Sequence, residues 1–318
     1  MISPKKKLLM VGQGGGGIDS LFATTLTSAT TGTAVPLRFA PDLDWHKRRS
    51  AASDHALLDS RRGAFTLASN TTSAQAATSV GYAPDGARRS TVALGAGTGE
   101  VIWSLRRSRR FFDVVRYIGD GTIGRKIPHS LGAEPGMIAV KRLDADGAWS
   151  VLHRSLNEAA RYLDLSSGAA AGNNNGNRIE AMSASDFTLN NNNMNISGAN
   201  YVAYLFAHDP SPSGIIQCGS YTGNGSSSGP SVNLGWEPQW LLAKNTTNSG
   251  DWHILDSRRS TANPRQAALR PNSTAAETSN GSQAIDFLSN GFRPATSALD
   301  VNGSNNQYVY MAIRKGAT

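Results

Sequence analysis

Cysteine is almost missing from these 318 residues: Cys218 stands alone, so no disulfide can close within the chain. Set in the apolar, strand-like stretch IIQCGSY, it reads as a small buried residue and not as a nucleophile. Long apolar runs are missing too. Nothing approaches the roughly 18 residues that a membrane-crossing helix requires, so no membrane insertion is expected. The opening MISPKKKLLMVG carries three lysines, but its apolar part, Leu8 to Val11, is too short for the core of a secretory signal. The chain is therefore expected to be made and kept in a cytoplasm until assembly. Six histidines form no His-x-x-x-His pair, and Cys-x-x-Cys does not occur, which removes metal sites of standard spacing. The glycine run GQGGGG lacks the Lys-Ser/Thr ending of a phosphate loop and has no strand-then-helix setting. No Gly-x-Ser-x-Gly elbow is present either. No cofactor, no metal and no enzymatic activity are expected.

What the chain does contain is 33 glycines amid many Ser, Thr and Asn, the profile of turn-rich β-structure. The formal charge is +8, which permits anionic partners. Its basic residues cluster in HKRRS (46–50), DSRRG (59–63) and RRSRR (106–110), which is how solvated strand ends and loops look. RRSRRFF (106–112) is the best nucleic-acid patch on offer. It falls where one repeat gives way to the next, so a seam or subunit contact is the expected reading, and nucleic acid is not expected as a partner.

Three segments fall into register without gaps when aligned on a proline and a lysine six residues later: PDLDWHK from Pro41, PGMIAVK from Pro135 and PQWLLAK from Pro238. Leu37, Leu131 and Leu234 stand four residues before the proline. His55, Trp149 and Trp252 stand eight after the lysine, followed by Leu57/Val151/Ile254, Leu58/Leu152/Leu255 and Asp59/His153/Asp256. The phrase LDSRR occurs at Leu58–Arg62 and again at Leu255–Arg259. YIGDGT (117–122) and YTGNGS (221–226) lead into the later copies, and EVIWSLRR, NYVAYLFA and QYVYMAIR close the three. Gly119, Gly121, Gly223 and Gly225 fit hairpin turns that need positive φ.

A repeat of about 100 residues is too long for a solenoid, so each copy is expected to bury its own core. Runs such as MIAVK, WSVLH and YVAYLFA are read as alternating with period two between polar turn clusters, the pattern of an antiparallel sandwich. The Asn-rich tracts GNNNGN (172–177) and NNNNMN (190–195) read as long polar loops. The organisation predicted is an N-terminal arm over 1–33, then repeats over 34–111, 112–210 and 215–318.

Glycosidase-type carboxylate pairs would be Glu134 with Glu237, or Asp59 with Asp256, but all four sit at repeat-equivalent positions, which suits building a domain better than one active site. An Asp beside Arg pairs in LDSRR most simply locks a strand end. Trp149 and Trp252 read as core, whereas Trp236, in the turn LGWEP, is open to stacking on a sugar or packing on a neighbour.

The stretches FFDVVRYIGDGT, HSLGAEPGMIAVKR, WSVLHRS, YVAYLFAHD and SYTGNGSSSGPSVNLGWEPQWLLAKN resemble an uncharacterised repeat domain of tail and tail-fibre proteins of tailed bacteriophages. The lead-in GGGGIDSLFATTL is similar to one such proteins carry; the first copy departs from the pattern, with TSATTGT (27–33) where the Tyr-x-Gly-x-Gly motif would stand. The resemblance implies an all-β chain of three tandem β-sandwich (jelly-roll or lectin-like) domains behind a glycine-rich attachment arm. It implies a structural virion protein, a tail fibre or appendage engaged in host attachment, with a purely architectural head, neck or tail component as the alternative. Other virion proteins are the expected partners, with homo-oligomerisation, as a trimer by analogy, multiplying weak contacts. Host glycan or lipopolysaccharide would be met by Trp236 and by Arg61, Arg62, Arg258 and Arg259.

Overall fold

A computed structural model describes residues 17–80, 89–91, 93–94, 99–156, 161–173, 179–189 and 193–316. The glycines up to Gly16, the GYAP segment and most of the two Asn-rich tracts lie outside the described residues. The chain is nearly all β, in several antiparallel sheets. Helix among the described residues is limited to one 3-10 turn at Ile18–Ser20 and a short α-helix at Leu299–Asn302.

Twelve strands make three principal sheets. The first holds β1 (Phe22–Thr27), β2 (Leu43–Arg48), β3 (Ala56–Asp59) and β4 (Glu100–Leu105). The second holds β5 (Phe112–Ile118), β6 (Pro135–Arg142), β7 (Ser150–His153) and β8 (Asn200–Ala207). The third holds β9 (Ile216–Thr222), β10 (Pro238–Asn245), β11 (Trp252–Asp256) and β12 (Gln307–Arg314). Strand order is the same in each: first, last, second, third. In the second sheet, 161–164 and 172–173 extend the edge. The pairing register repeats as well, with Trp45 opposite Trp103, Ala139 opposite Tyr204 and Leu242 opposite Met311.

Two expectations change here. Phe22–Thr27 pairs along the whole of β4, in the place that β5 and β9 hold beside β8 and β12. Residues 22–27 therefore belong to the first repeat's sheet and not to an arm ending at 33. The Tyr-x-Gly-x-Gly segment, in turn, is no hairpin: β5 leads into 125–128, which pairs in a separate three-stranded sheet with 186–189. Within that crossing Gly121 has φ of 77°, and a side chain on Gly119 would collide with the carbonyl of Ile196.

The repeats also share one core. A single cluster of buried apolar residues joins Trp45 and Trp103 of the first repeat, Met137 and Tyr204 of the second, and Trp240 and Met311 of the third. Trp103 meets Trp45 at 5.9 Å and Trp240 at 6.4 Å, both edge to face. The other face of the third sheet, with Tyr221, Leu241, Leu255 and Tyr310, packs with Ile285, Phe287 and Phe292 of the small sheet 232–233, 285–288 and 291–294. Strands covered on both faces are apolar throughout, which is why WLLA and MIAV run continuously instead of alternating. Each side chain so buried contributes about 1.5–3 kcal/mol. Much of that burial spans repeats, so the copies are not independent beads.

Candidate functional site

The alignment positions singled out in the sequence gather at the seams between repeats. Lys47, Lys141 and Lys244 are fully buried. Lys47 donates to the carbonyls of Ser53, in its own repeat, and Thr274, in the third, at 2.6 and 2.8 Å. Lys141 donates to Gly147 of its own repeat and to Thr72 of the first, both at 2.8 Å. Lys244 donates to its neighbour Asn245 and to Gly168 of the second, at 2.6 and 3.3 Å. The seams thus run one to three, two to one and three to two, a closed ring. Burial lowers each lysine to about 8.

The position eight residues on repeats the cycle. His55 faces the carbonyl of Arg270 at 2.9 Å, Trp149 donates to Ala68 at 2.9 Å, and Trp252 donates to Asp164 at 2.9 Å. Trp45 donates its indole N–H to His55 Nδ1, so His55 Nε2 carries the hydrogen that reaches Arg270. Burial, together with the nearby Lys47 charge, lowers His55 to about 3 and keeps it neutral.

LDSRR closes two of the three seams. Asp59 accepts from Arg62 Nε at 2.5 Å and from the backbone N–H groups of Arg61 and Arg62. Tyr204 of the second repeat donates to Asp59 at 2.7 Å and accepts from Arg62 at 3.0 Å. Asp256 binds Arg259 in the same way and takes the indole N–H of Trp103 from the first repeat at 3.0 Å. In the remaining seam His153 Nε2 faces the backbone carbonyl of Tyr310 at 3.0 Å. Burial lowers His153 to about 4.

Of the residues expected to meet a ligand, Arg62 and Arg259 are therefore enclosed in the seams, at 4% and 9% exposure. Trp236 is enclosed as well, at 4%, among the apolar residues beneath the third sheet. A ring held there offers a sugar little of its surface, although Trp236 borders the larger cleft described below. Arg61 and Arg258 are exposed. Asp59 and Asp256 are fully buried in ion pairs, and Glu237 lies beside Lys315 at 2.9 Å. Cys218 is fully buried, and burial raises its thiol far above the usual range. Among the described residues no three His, Cys, Asp or Glu side chains group to hold a metal.

One feature of the first repeat escaped the sequence reading. Asp44, His46, Glu100 and Ser104 are buried on the outer face of its sheet. The register gives their counterparts as Ile138, Val140, Tyr201 and Leu205 in the second repeat and Leu241, Ala243, Tyr308 and Ala312 in the third. Ser104 donates to Asp44 at 2.6 Å, and His46 Nδ1 lies 2.9 Å from Glu100. His46 Nε2 and the second Glu100 oxygen have no hydrogen-bond partner among the described residues. The signal was available: the third and fifth residues after the aligned proline are apolar in two copies and charged or imidazole-bearing in one.

The junctions between repeats, 106–111 and 208–215, lie at one end of the ring with Gly17 and Gly316. Two clefts open there. One, of about 860 Å³, lies between Ile18, Pro212, Trp236, Glu237, Arg314 and Lys315. The other, of about 600 Å³, includes Leu21, Arg109, Arg110 and Asp209 in its wall. Arg110 grips Asp209 through two bonds of 2.9 and 2.7 Å, tying the first junction to the second.

No curated protein matches the sequence. The domain-of-unknown-function family DUF7483 matches residues 106–315, the second and third repeats, and the chain belongs to that family.

Proposed function

We propose that the chain is a non-enzymatic structural protein of a tailed-phage particle, a tail fibre or tail appendage serving host attachment. Reading each repeat as a lectin-like jelly-roll sandwich is part of the same proposal, as is its place in the virion among other virion proteins. One observation carries the structural role: the buried Lys, His, Asp and Arg groups of the seams have their hydrogen bonds committed, partly within their own repeat and partly across to the next. Groups tied down in this way are not free to move protons or attack a substrate. The tail assignment rests on the sequence resemblance.

The burial of Trp236, Arg62 and Arg259 favours a second, purely architectural reading, in which the protein binds other virion proteins and touches no glycan. Immunogold electron microscopy of intact particles, with antibody against the recombinant chain, separates the two. Label on distal tail appendages supports host attachment. Label on head or neck favours the architectural reading, and absence of the protein from disrupted particles defeats both.

A further inference from the structure

We propose that the junction end of the ring is a docking face for an acidic protein partner with threefold symmetry. The inference rests on the reading of the chain as a structural component of a larger particle. Strand direction defines the face. β3, β7 and β11 all finish at this end, because Asp59, His153 and Asp256 pair with Leu43, Met137 and Trp240 near the starts of β2, β6 and β10. Just beyond them stand Arg61, Arg154 and Arg258, one from each repeat, all exposed. Exposed Arg106 and Arg109 of the first junction and half-buried Arg314 at the end of β12 join them.

None of these six arginines has a carboxylate partner among the described residues. The acids of this end are committed elsewhere. Asp113 holds Arg107, Asp209 holds Arg110, Glu237 holds Lys315, and Asp59 and Asp256 are closed in the seams. Asp42 accepts from Ser60 and from the backbone N–H of Arg107. Asp19 and Glu134 remain exposed against six guanidinium groups. The opposite end differs in kind. There Arg49 is paired with Glu277, Arg142 with Asp144 and Arg270 with Asp251. The unpaired positive charge is concentrated at this end, although exposed Arg116 and Lys126, away from it, also lack a carboxylate partner among the described residues.

The arrangement of the charges selects the partner. A nucleic-acid backbone follows a line and favours cations set along a groove. Here Arg61, Arg154 and Arg258 are set around the ring at near-equivalent points. A partner with one acidic patch per subunit about a threefold axis meets all three together, and three weak contacts then act as one. Guanidinium groups suit this role because they bind carboxylates through two parallel hydrogen bonds. The first and last described residues, Gly17 and Gly316, both line the larger cleft at this end.

The test is incorporation into particles that lack the native protein. The variant Arg61→Glu/Arg154→Glu/Arg258→Glu is compared with Arg116→Glu/Lys126→Glu/Arg142→Glu, which changes residues away from this end by the same total charge. Thermal unfolding verifies that both variants fold as the wild type does. Mass spectrometry of purified particles is expected to show the junction variant at least tenfold depleted and the control variant retained. Photo-crosslinking from positions 61, 154 and 258 in wild-type background is expected to capture one and the same polypeptide. Retention of the junction variant, equal loss of both variants, or crosslinks to nucleic acid, to lipid or to three different polypeptides would overturn the inference while leaving the parent reading intact. Absence of the wild-type protein from particles would overturn the parent reading, and this inference with it.

Discussion

A lysine amine inside a protein is tolerated when every hydrogen it carries finds an oxygen, and the seam lysines come close to that condition. Lys141, between the carbonyls of Thr72 and Gly147, is the clearest case. Replacing it with Met keeps the length of the side chain and strands both carbonyls, at a cost of about 1–3 kcal/mol per buried group left unpaired. Urea unfolding of Lys141→Met is expected to show that loss, and an unchanged midpoint would mean the carbonyls find water instead. The lysines also set a pH dependence. Each titrates near 8 in the folded protein against 10.5 when free, so between these values the unfolded chain binds more protons and stability rises with pH. Tyr310 works against this from about pH 10 upward, because burial raises it to about 12. The melting temperature is therefore expected to climb between pH 8 and 10, less steeply in Lys141→Met. The histidines act at the acid side. His55 and His253, held down to about 3, and His153, to about 4, bind protons in the unfolded chain first as pH drops below 6.5. Stability present above 6.5 should fall steadily toward pH 4, and a flat melting temperature over that interval would contradict the burial of these rings.

At the scale of strands, the sister repeats act as controls for one another. The second and third repeats show that the outer face of a principal sheet can be apolar at the positions where the first repeat has His46 and Glu100. A buried hydrogen-bonded pair is often no better than well-packed apolar residues of the same shape, whereas removing one partner leaves the other unsatisfied. The pair His46→Ala/Glu100→Tyr, which installs the third repeat's residues, is expected to be neutral or stabilising, while Glu100→Ala alone costs about 1–3 kcal/mol. Chemical denaturation of both decides the matter, and a paired replacement as damaging as the single one would show that this repeat requires the polar set. The same strands show what a reader of the sequence can reach. The proline–lysine register located β2, β6 and β10 and named His55, Trp149, Trp252 and Asp59 at fixed offsets, all of them seam residues. β1 stayed hidden because FATTLT shares no motif with FDVVRYI or IQCGSYT, and only its pairing with β4 identifies it. Trp236 looked exposed because it sits in a turn; the buried apolar cluster it joins includes Ile285 and Phe292, some fifty positions away in the chain. Arg154 went unnoticed beside Arg61 and Arg258 because the second copy reads LHRS where the others read LDSRR.

For the whole molecule, closing the ring matters more than any single repeat. The family match begins at residue 106 and so omits the first repeat, yet that repeat supplies both seams that close the ring. Without it, Lys141, Trp149 and Tyr204 lose Thr72, Ala68 and Asp59 as acceptors. At the other opened seam Arg270, Thr274 and Asp256 lose His55, Lys47 and Trp103 as donors, and Trp240 loses the rings of Phe22 and Trp103. The two surfaces so uncovered are donor and acceptor halves of the same kind of seam, and on separate molecules they fit one another. The full chain is therefore expected to behave as a monomer of 33.6 kDa by light scattering, its threefold arrangement supplied within one polypeptide. Calorimetry should give one cooperative transition, because a core shared by three repeats leaves none of them to melt alone. A fragment spanning 106–315 should either unfold at a markedly lower temperature or associate with itself, and adding a fragment spanning 17–105 should restore a 1:1 complex. A fragment 106–315 that stays monomeric and melts with the full chain would mean that two repeats are self-sufficient and that ring closure is not what holds the fold.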